Sequence, residues 1–465
     1  MDKKYTSGAH DECGVFGVYG IENAKDLVYY GLHSLQHRGQ EGTGIVAVSD
    51  NGQLNKVKGL GLVTEVYNND NLKPLTGKLA IGHVKYANAS MAGIENVQPI
   101  AIKHRTGDFA IANNGQLTNG KELRRYLENQ GLTFQSDSDA EILAYLVKKD
   151  RPEQKRINVI MEGLNKLDGS FSFVMVTKDR LYAARDKYGF KPLSIATLNE
   201  GYVVSSETCA FEVTGAKFLR DVAPGEVVVI DDKGIHSFNY SMFKHYNMCA
   251  MEYIYFARPD SDIEGCNVHT FRKETGKHLF KEAPVDADIV VGVPDSSLSA
   301  ASGYAEASGI PYEMGLIKNK YVGRTFIQPS QELRERGVKM KLSTVSSIVN
   351  GKKVVLIDDS IVRGTTSKQI IKLLKDAGAT EVHVRIASPK FINPCYYGVD
   401  TATKEELIGA RHTVDEIKDI IGADSLAFLS VEALYKSAKR AEMCCGCFTG
   451  KYPTQLYSLA PKENN

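Results

Sequence analysis

The sequence predicts two consecutive domains of different class: an α+β domain over residues 13–240 and an α/β domain over 241–465, behind a short segment of residues 1–12. Three observations predict this. The first is length: 465 residues exceed one ordinary core, so two domains are expected. The second is the texture of the first half. Short apolar runs (GVFGVYG, GIVAVS, LAIGHV, FAIANNG, SFSFVMV, YVVSSE) are parted by turn residues, with helical patterns only near 25–37, 120–130, 139–149 and 156–167. That is antiparallel strand with a few helices. The third is a change of texture after about residue 250. DIVVGVP (288–294) precedes a helical stretch at 297–308, KKVVLID (352–358) precedes another at 365–377, and VHVRIAS (382–388) follows. Strand, loop, helix, strand is a parallel layout whose ligands belong at the carboxyl ends of the strands. The polar stretch HSFNYSMFKHYN marks the boundary.

Composition narrows the function classes. A formal net charge of +1 argues against a nucleic acid or an acidic membrane as a general partner. No run of about 18 apolar residues occurs, and the first twelve residues hold no apolar stretch of signal-peptide type, so a cytoplasmic protein is expected. Eight cysteines in a chain this long read as thiols, nucleophiles or metal ligands rather than a disulfide scaffold.

The first half carries five elements in order. Cys13 stands in DECGVFG, either as a buried free thiol or as a nucleophile whose own α-amine acts as base once twelve residues are removed. That amine, with a reference pKa of about 8, is substantially neutral near physiological pH. LQHRGQEG spans 35–42, and GHVKY spans 82–86 with Lys85 and Tyr86. Asn113-Asn114-Gly115 follows an apolar strand. It is either a hairpin turn or a side-chain amide and a backbone N–H aimed at one oxyanion. In SDAE, Asp139 either caps a helix or binds a substrate ammonium.

Together these elements resemble the class II glutamine amidotransferases. The resemblance implies an αββα N-terminal-nucleophile fold and a removed propeptide, residues 1–12. It implies Cys13 as nucleophile, Asn114 and Gly115 as the oxyanion hole, and Lys85, Tyr86 and Asp139 as glutamine-binding residues. Four places depart from the family pattern: Lys85 stands for an Arg, Ala87-Asn88-Ala89-Ser90 for the usual small residues, Asn113 for a His, and Lys191 for the Arg of a GxRPL motif.

In the second half, VVLIDDSIVRGTTS (354–367) delivers Asp358 and Asp359 from an apolar strand into Arg363, Gly364, Thr365, Thr366 and Ser367 at a helix start. Carboxylates suit ribose hydroxyls or a hard cation such as Mg²⁺, and the loop suits a phosphate. This resembles the phosphoribosyl pyrophosphate (PRPP) signature of type I phosphoribosyltransferases. By that match residues 363–367 wrap the 5′-phosphate, Asp295-Ser296-Ser297 form the pyrophosphate loop, and Ser296 joins Asp358 and Asp359 at Mg²⁺; simple helix capping is the alternative for 295–297. From 318 to 341 there are seven Lys or Arg and two acidic residues, including Arg324 and Lys339. Either this is a solvated or nucleic-acid-facing basic loop, or it is a lid over pyrophosphate, which an existing PRPP pocket favours.

The C-x-x-C of Cys444 and Cys447 fits zinc, a redox pair or an iron–sulfur cluster. With Cys249 and Cys395 it resembles the cluster-containing branch of the glutamine PRPP amidotransferases, and that resemblance spans residues 11–458. It implies a [4Fe–4S] cluster on Cys249, Cys395, Cys444 and Cys447, glutamine and PRPP as substrates, feedback by purine nucleotides, a homotetramer, and entry into purine biosynthesis. A class II amidotransferase with another acceptor is argued against by IDDSIVRGTTS. A PRPP-binding regulator with a decayed first half, or an enzyme working on free ammonia, has only Lys85 and Asn113 in its favour.

A guanidinium grips a carboxylate through two parallel hydrogen bonds, whereas an ammonium is a point charge. Lys85 is therefore expected to weaken glutamine binding without removing the chemistry. Steady-state kinetics of Lys85→Arg should show the glutamine KM falling about tenfold or more; an unchanged KM refutes the assignment.

Overall fold

The computed structural model describes residues 13–86, 93–104, 107–148, 155–319, 342–399, 401 and 403–457. The segment 1–12, Ala87–Ser90, Arg324 and Lys339 lie outside the described residues.

Two antiparallel sheets build the first half. One has seven strands, in the order Lys217–Asp221, Ser194–Leu198, Gly201–Ser205, Gly14–Tyr19, Leu79–Lys85, Gly42–Val48 and Leu54–Leu60. The other has six, in the order Gly234–Asn239, Glu226–Asp231, Leu181–Arg185, Ser172–Val176, Phe109–Asn114 and Ile100–Ile102. Alternate residues of a strand point to opposite faces, and both faces are covered here, so the strands read as unbroken apolar runs. In Gly14–Tyr19, Val15 enters the core between the sheets, with Ile81, Ala112, Val174 and Val228. Phe16 and Val18 face the helix Ala24–Ser34 through Val28 and Leu32. In Phe109–Asn114, Ala110 and Ala112 face the inter-sheet core, while Phe109 and Ile111 pack under the helices Asp139–Val147 and Arg156–Asn165. The layers run helix, sheet, sheet, helix.

The second half has a four-stranded parallel sheet, in the order Ile289–Gly292, Lys353–Asp358, Glu381–Ile386 and Ser425–Phe428. Val290, Val355 and Ile357 face the helices Val268–Glu282, Leu298–Ser308 and Val431–Ala438. Ile289, Val291, Val354 and Leu356 face Thr365–Asp376 and Val414–Ile421. The carboxyl ends of the first two strands lie side by side, with Gly292 opposite Ile357. No helix among the described residues is long and apolar enough to cross a membrane.

The single helix expected over 25–37 is two elements. An α-helix ends at Ser34, Leu35 leaves helical geometry, and Gln36–Arg38 is a separate 3₁₀ turn. The break lets Arg38 turn inward. Its guanidinium is fully buried between two buried carboxylates, 2.6 Å from Glu207 and 2.8 Å from Glu252. Glu252 opens the π-helical turn Glu252–Phe256 of the second half, so the pair joins the two halves. Burial alone would pull the Arg38 guanidinium down, but Glu252 and Glu207 hold it well above its usual range. Glu207 also accepts from the Arg258 N–H at 2.9 Å and the Ser261 hydroxyl at 2.7 Å.

Removing one partner of a buried ion pair strands the other charge and costs about 3–5 kcal/mol, whereas an exposed pair contributes under about 1. Arg38→Ala, which strands both Glu207 and Glu252, should therefore lower the denaturation midpoint sharply, and Asp70→Ala, which breaks the exposed pair with Lys73, should leave it within error. Equal midpoints for the two variants contradict this account.

Candidate active site

Cys13 precedes the strand Gly14–Tyr19, which pairs with Leu79–Lys85 so that Gly14 lies opposite Val84. The pairing brings Lys85 and Tyr86 beside the cysteine. The Cys13 thiol is 3.9 Å from the Tyr86 carbonyl, and the Cys13 carbonyl accepts from Arg38 Nε at 3.1 Å. Burial pushes the thiol up, while the Tyr86 hydrogen bond, Lys85 and Arg38 pull it down. Lys85 is itself buried, and that burial lowers its ammonium pKa against the pull of the Cys13 thiolate.

Asn114 ends the strand Phe109–Asn114 in the other sheet. It is fully buried, and among the described residues neither its amide nitrogen nor its amide oxygen has a hydrogen-bond partner. A buried amide in that state is rare and points to a ligand. His83 joins the two sheets here, its Nε2 lying 3.2 Å from the Asn113 carbonyl. Burial and then Lys85 lower the His83 pKa to about 3, so the ring is neutral. Gly115 has φ +133°, and a side chain there would collide with the Ser170 carbonyl, so glycine is required.

Asp139 is not the cap of its helix. Ser138 is, its hydroxyl accepting from the Ala140 N–H at 3.3 Å. Asp139 instead accepts from the Leu117 N–H at 2.8 Å, which pins the loop after Gly115. Burial raises its carboxyl to about 6, against the Leu117 hydrogen bond and Arg124.

The second candidate centre lies at the carboxyl ends of the parallel strands. Asp358 accepts from the Ser297 hydroxyl at 3.1 Å and from the Asp359 N–H at 2.9 Å. Asp359 accepts from the hydroxyls of Ser296 and Ser360. Serines 296 and 297 thus turn to the acid pair. Burial, and for Asp358 the neighbouring Asp359, push both carboxyls upward. Two adjacent buried acids in this state favour a cation. Magnesium is commonly held by one or two carboxylates with the rest of its shell from substrate phosphate and water, so the donor set fits. Gly364, at φ +79°, turns the chain into the helix Thr365–Asp376, whose first N–H groups receive no side-chain cap. Thr365, Thr366 and Ser367 surround that end. Arg363 is 3.3 Å from Glu406. Of the basic stretch 318–341, Lys318 is described and pairs with Asp295 at 2.6 Å.

The four candidate cluster cysteines converge where the halves meet. Cys249 and Cys444 bridge in parallel, with the Ala250 N–H donating to the Cys444 carbonyl at 3.1 Å. Each of Cys249, Cys444 and Cys447 lies within electrostatic reach of Cys395, and burial pushes all three thiols up. Among the described residues no group of three or more ligands is arranged to hold a single metal ion. Four cysteine thiolates are the donor set an iron–sulfur cluster takes, so the chemistry of these four side chains fits one.

Sequence reasoning missed the Arg38–Glu207–Glu252 set, His83 and Ser170. HRG and GH flagged Arg38 and His83 as motif residues, but only long-range pairing shows what they hold.

Comparison with known proteins finds relatives of both halves. A glutamine amidotransferase domain family matches residues 88–213, and a phosphoribosyl transferase domain family matches residues 274–390. The amidophosphoribosyltransferase of Bacillus subtilis (strain 168) is 55% identical over 457 residues, covering 97% of this chain and 96% of the relative. That of Staphylococcus aureus (strain Mu50) is 53% identical over 459 residues, covering 97% and 92%. The solved glutamine PRPP amidotransferase from B. subtilis complexed with ADP and GMP superposes with a TM-score of 0.91 at 55% identity, over 96% of this chain and 98% of that one. A structure described as the allosteric regulatory enzyme of purine biosynthesis gives 0.92 at 55% identity, over 96% and 97%.

Proposed function

The chain belongs to the amidophosphoribosyltransferase family, and from that premise we propose how its own residues divide the work. The family reaction converts glutamine, PRPP and water into 5-phosphoribosylamine, glutamate and pyrophosphate, the first step of purine biosynthesis. The observation that carries the assignment is the pairing of two unlike centres in one chain. A thiol lies beside a buried lysine in the first half, and a buried acid pair faces two serines at parallel strand ends in the second.

In this reading residues 13–240 are the glutaminase domain and 241–465 the phosphoribosyltransferase domain. Lys85 receives the glutamine α-carboxylate, Asp139 its ammonium, and Tyr86 lines the same site. The Cys13 sulfur attacks the amide carbon. Its proton passes to the Cys13 α-amine once residues 1–12 are removed. The Asn114 amide and the Gly115 N–H receive the oxyanion; losing one such donor costs about 10²–10³ in kcat. Ammonia departs, and water releases glutamate from the acyl-enzyme. In the second domain Asp358 and Asp359 hold the ribose hydroxyls, and residues 363–367 hold the 5′-phosphate. Ammonia attacks C1 as pyrophosphate leaves, with Arg324 and Lys339 of the basic segment supplying positive charge. Asp358, Asp359 and Ser296 would hold Mg²⁺, which when bound neutralises the leaving pyrophosphate. Cys249, Cys395, Cys444 and Cys447 would hold a [4Fe–4S] cluster with a structural role, since the reaction has no redox step. Purine nucleotides act as feedback inhibitors in this reading, as the ADP and GMP in the B. subtilis structure suggest, and the protein works as a cytoplasmic homotetramer.

Anaerobic purification with intact mass, visible absorbance and glutamate release in one preparation tests this scheme. A mature chain beginning at Cys13, a brown sample, and glutamate release stimulated by PRPP with Mg²⁺ are expected. Retained residues 1–12 with no iron and untouched glutamine would overturn the glutaminase and cluster assignments.

Asp139 adds a pH prediction. With its carboxyl near 6 it is ionised above that pH and protonated below. An ammonium ligand needs the charged form. Glutamine kcat/KM should thus fall about tenfold per unit between about pH 8 and 6 as the Cys13 α-amine is protonated, and about a hundredfold per unit below pH 6, where Asp139 takes up a proton as well. A slope that does not steepen down to pH 5 removes Asp139 from the glutamine site.

A further inference from the structure

Between the two domains lies a hydroxyl that the catalytic scheme does not use. Residues 168–170 run antiparallel to 116–118, the segment directly after Asn114-Gly115. The Thr118 N–H donates to the Asp168 carbonyl at 2.9 Å, Leu117 and Gly169 form a bridge, and the Ser170 N–H donates to the Gln116 carbonyl at 3.0 Å. The Ser170 side chain completes the seam. Its Oγ accepts from the Gln116 N–H at 3.1 Å and donates to the Tyr397 carbonyl at 2.6 Å. Ser170 is fully buried.

Tyr397 belongs to the other domain. Its N–H donates to Cys395 Sγ at 3.3 Å, its ring stacks on Phe190 with centroids 4.2 Å apart, and its hydroxyl is 2.9 Å from that of Thr454. A second bond acts on the same strap from the C-terminal tail. The Tyr457 hydroxyl donates to Asp168 at 2.6 Å, while Lys187 lies 3.7 Å from the other Asp168 oxygen and the Asp168 N–H donates to Asn119.

We propose that Ser170 is a positioning residue for glutamine hydrolysis: it fixes the oxyanion loop from the phosphoribosyltransferase domain, with Tyr457 bracing the same strap. The proposal rests on the reading of Asn114 and Gly115 as the oxyanion hole. The physical case is local. The Gly115 N–H belongs to the Asn114–Gly115 peptide, and the next peptide, joined to it through the Gly115 Cα, has its N–H (that of Gln116) held by one buried oxygen. That oxygen is fixed in turn by a carbonyl two residues from Cys395. Any movement of the 395–397 segment is therefore transmitted to the donor that receives the oxyanion. Because a transition-state donor is displaced rather than a ground-state contact removed, kcat suffers and KM does not.

Glutamine-dependent and ammonia-dependent phosphoribosylamine synthesis are measured on the full-length holoenzyme and on Ser170→Ala, Tyr457→Phe and Asn114→Ala. Ser170→Ala should lower glutamine kcat about tenfold, as expected for a sub-ångström to 1 Å displacement of a catalytic donor. The glutamine KM should stay within about twofold, and the ratio of glutamine to ammonia turnover should fall with kcat. Tyr457→Phe should lower that ratio about two- to threefold. An unchanged ratio in Ser170→Ala overturns the proposal, as does a parallel loss of both activities. If Ser170→Ala does not fold, Tyr457→Phe decides, and an unchanged ratio there overturns it. Asn114→Ala separates the premises. Retained glutamine turnover in that variant removes the oxyanion assignment and the strap with it, whereas loss in Asn114→Ala with an unchanged ratio in Ser170→Ala removes the strap alone.

Discussion

The buried guanidinium of Arg38 is the constraint around which the two domains are arranged. It has three obligations at once: the Cys13 carbonyl, Glu207 at the end of one sheet, and Glu252 in the other domain. A buried ion pair of this kind is a poor source of net stability, because desolvation offsets most of the attraction. What it imposes is geometry. If the domains slip, Glu252 loses its buried partner and Arg38 keeps only Glu207. The arrangement that satisfies all of them also holds the backbone of the candidate nucleophile in one place, so domain docking and alignment of the first centre are one event.

Both candidate centres depart from the usual economy of a buried interior. Among the described residues the Asn114 amide has no partner, and Asp358 and Asp359, each with its own serine donors, have both carboxyls raised by burial and Asp358 further by Asp359. Each departure weakens the fold locally. Each is also what a ligand needs: an amide free to donate to a developing oxyanion, and two carboxylates ready for hydroxyls or a cation. The surrounding layers of Val, Ile, Leu and Phe offset that cost through their own burial, and by excluding water they keep these positions for substrate.

How much of this was legible in the sequence depended on range. The strand before Asp358 reads directly, because a parallel strand covered on both faces is an apolar run and the acid pair, Gly364 and helix start follow within a few residues. Cys13, Lys85, Asn114 and Asp139 stand out as motif residues, and hydrogen bonding gives the helix cap to Ser138 and ties Asp139 to the Leu117 N–H. The helix over 25–37 was read too long, because apolar periodicity continues through Leu35 while Arg38 must turn inward. Arg38 to Glu252 spans 214 positions and Ser170 to Tyr397 spans 227, and no local pattern encodes such pairs. The convergence of Cys249, Cys395 and the C-x-x-C is equally non-local and was supplied by the family resemblance.

The same short turn that Arg38 grips is held from the far side as well. Arg272 donates to the Tyr253 carbonyl and to the Ala257 carbonyl, each at 2.8 Å, and its guanidinium lies within electrostatic reach of both Asp359 and Glu207. Burial lowers its pKa to about 10, which still leaves it charged at neutral pH. One end of residues 252–257 is therefore fixed by the charge beside the nucleophile, and its carbonyls by a charge facing the acid pair. Ammonia released into water is protonated and lost as a nucleophile, so an enzyme that makes it in one domain and uses it in another needs a dry junction whose position answers to both sites. A turn with two buried arginines on it, one from each side, ties the positions of the two centres together with side chains that remain protonated throughout the working pH range.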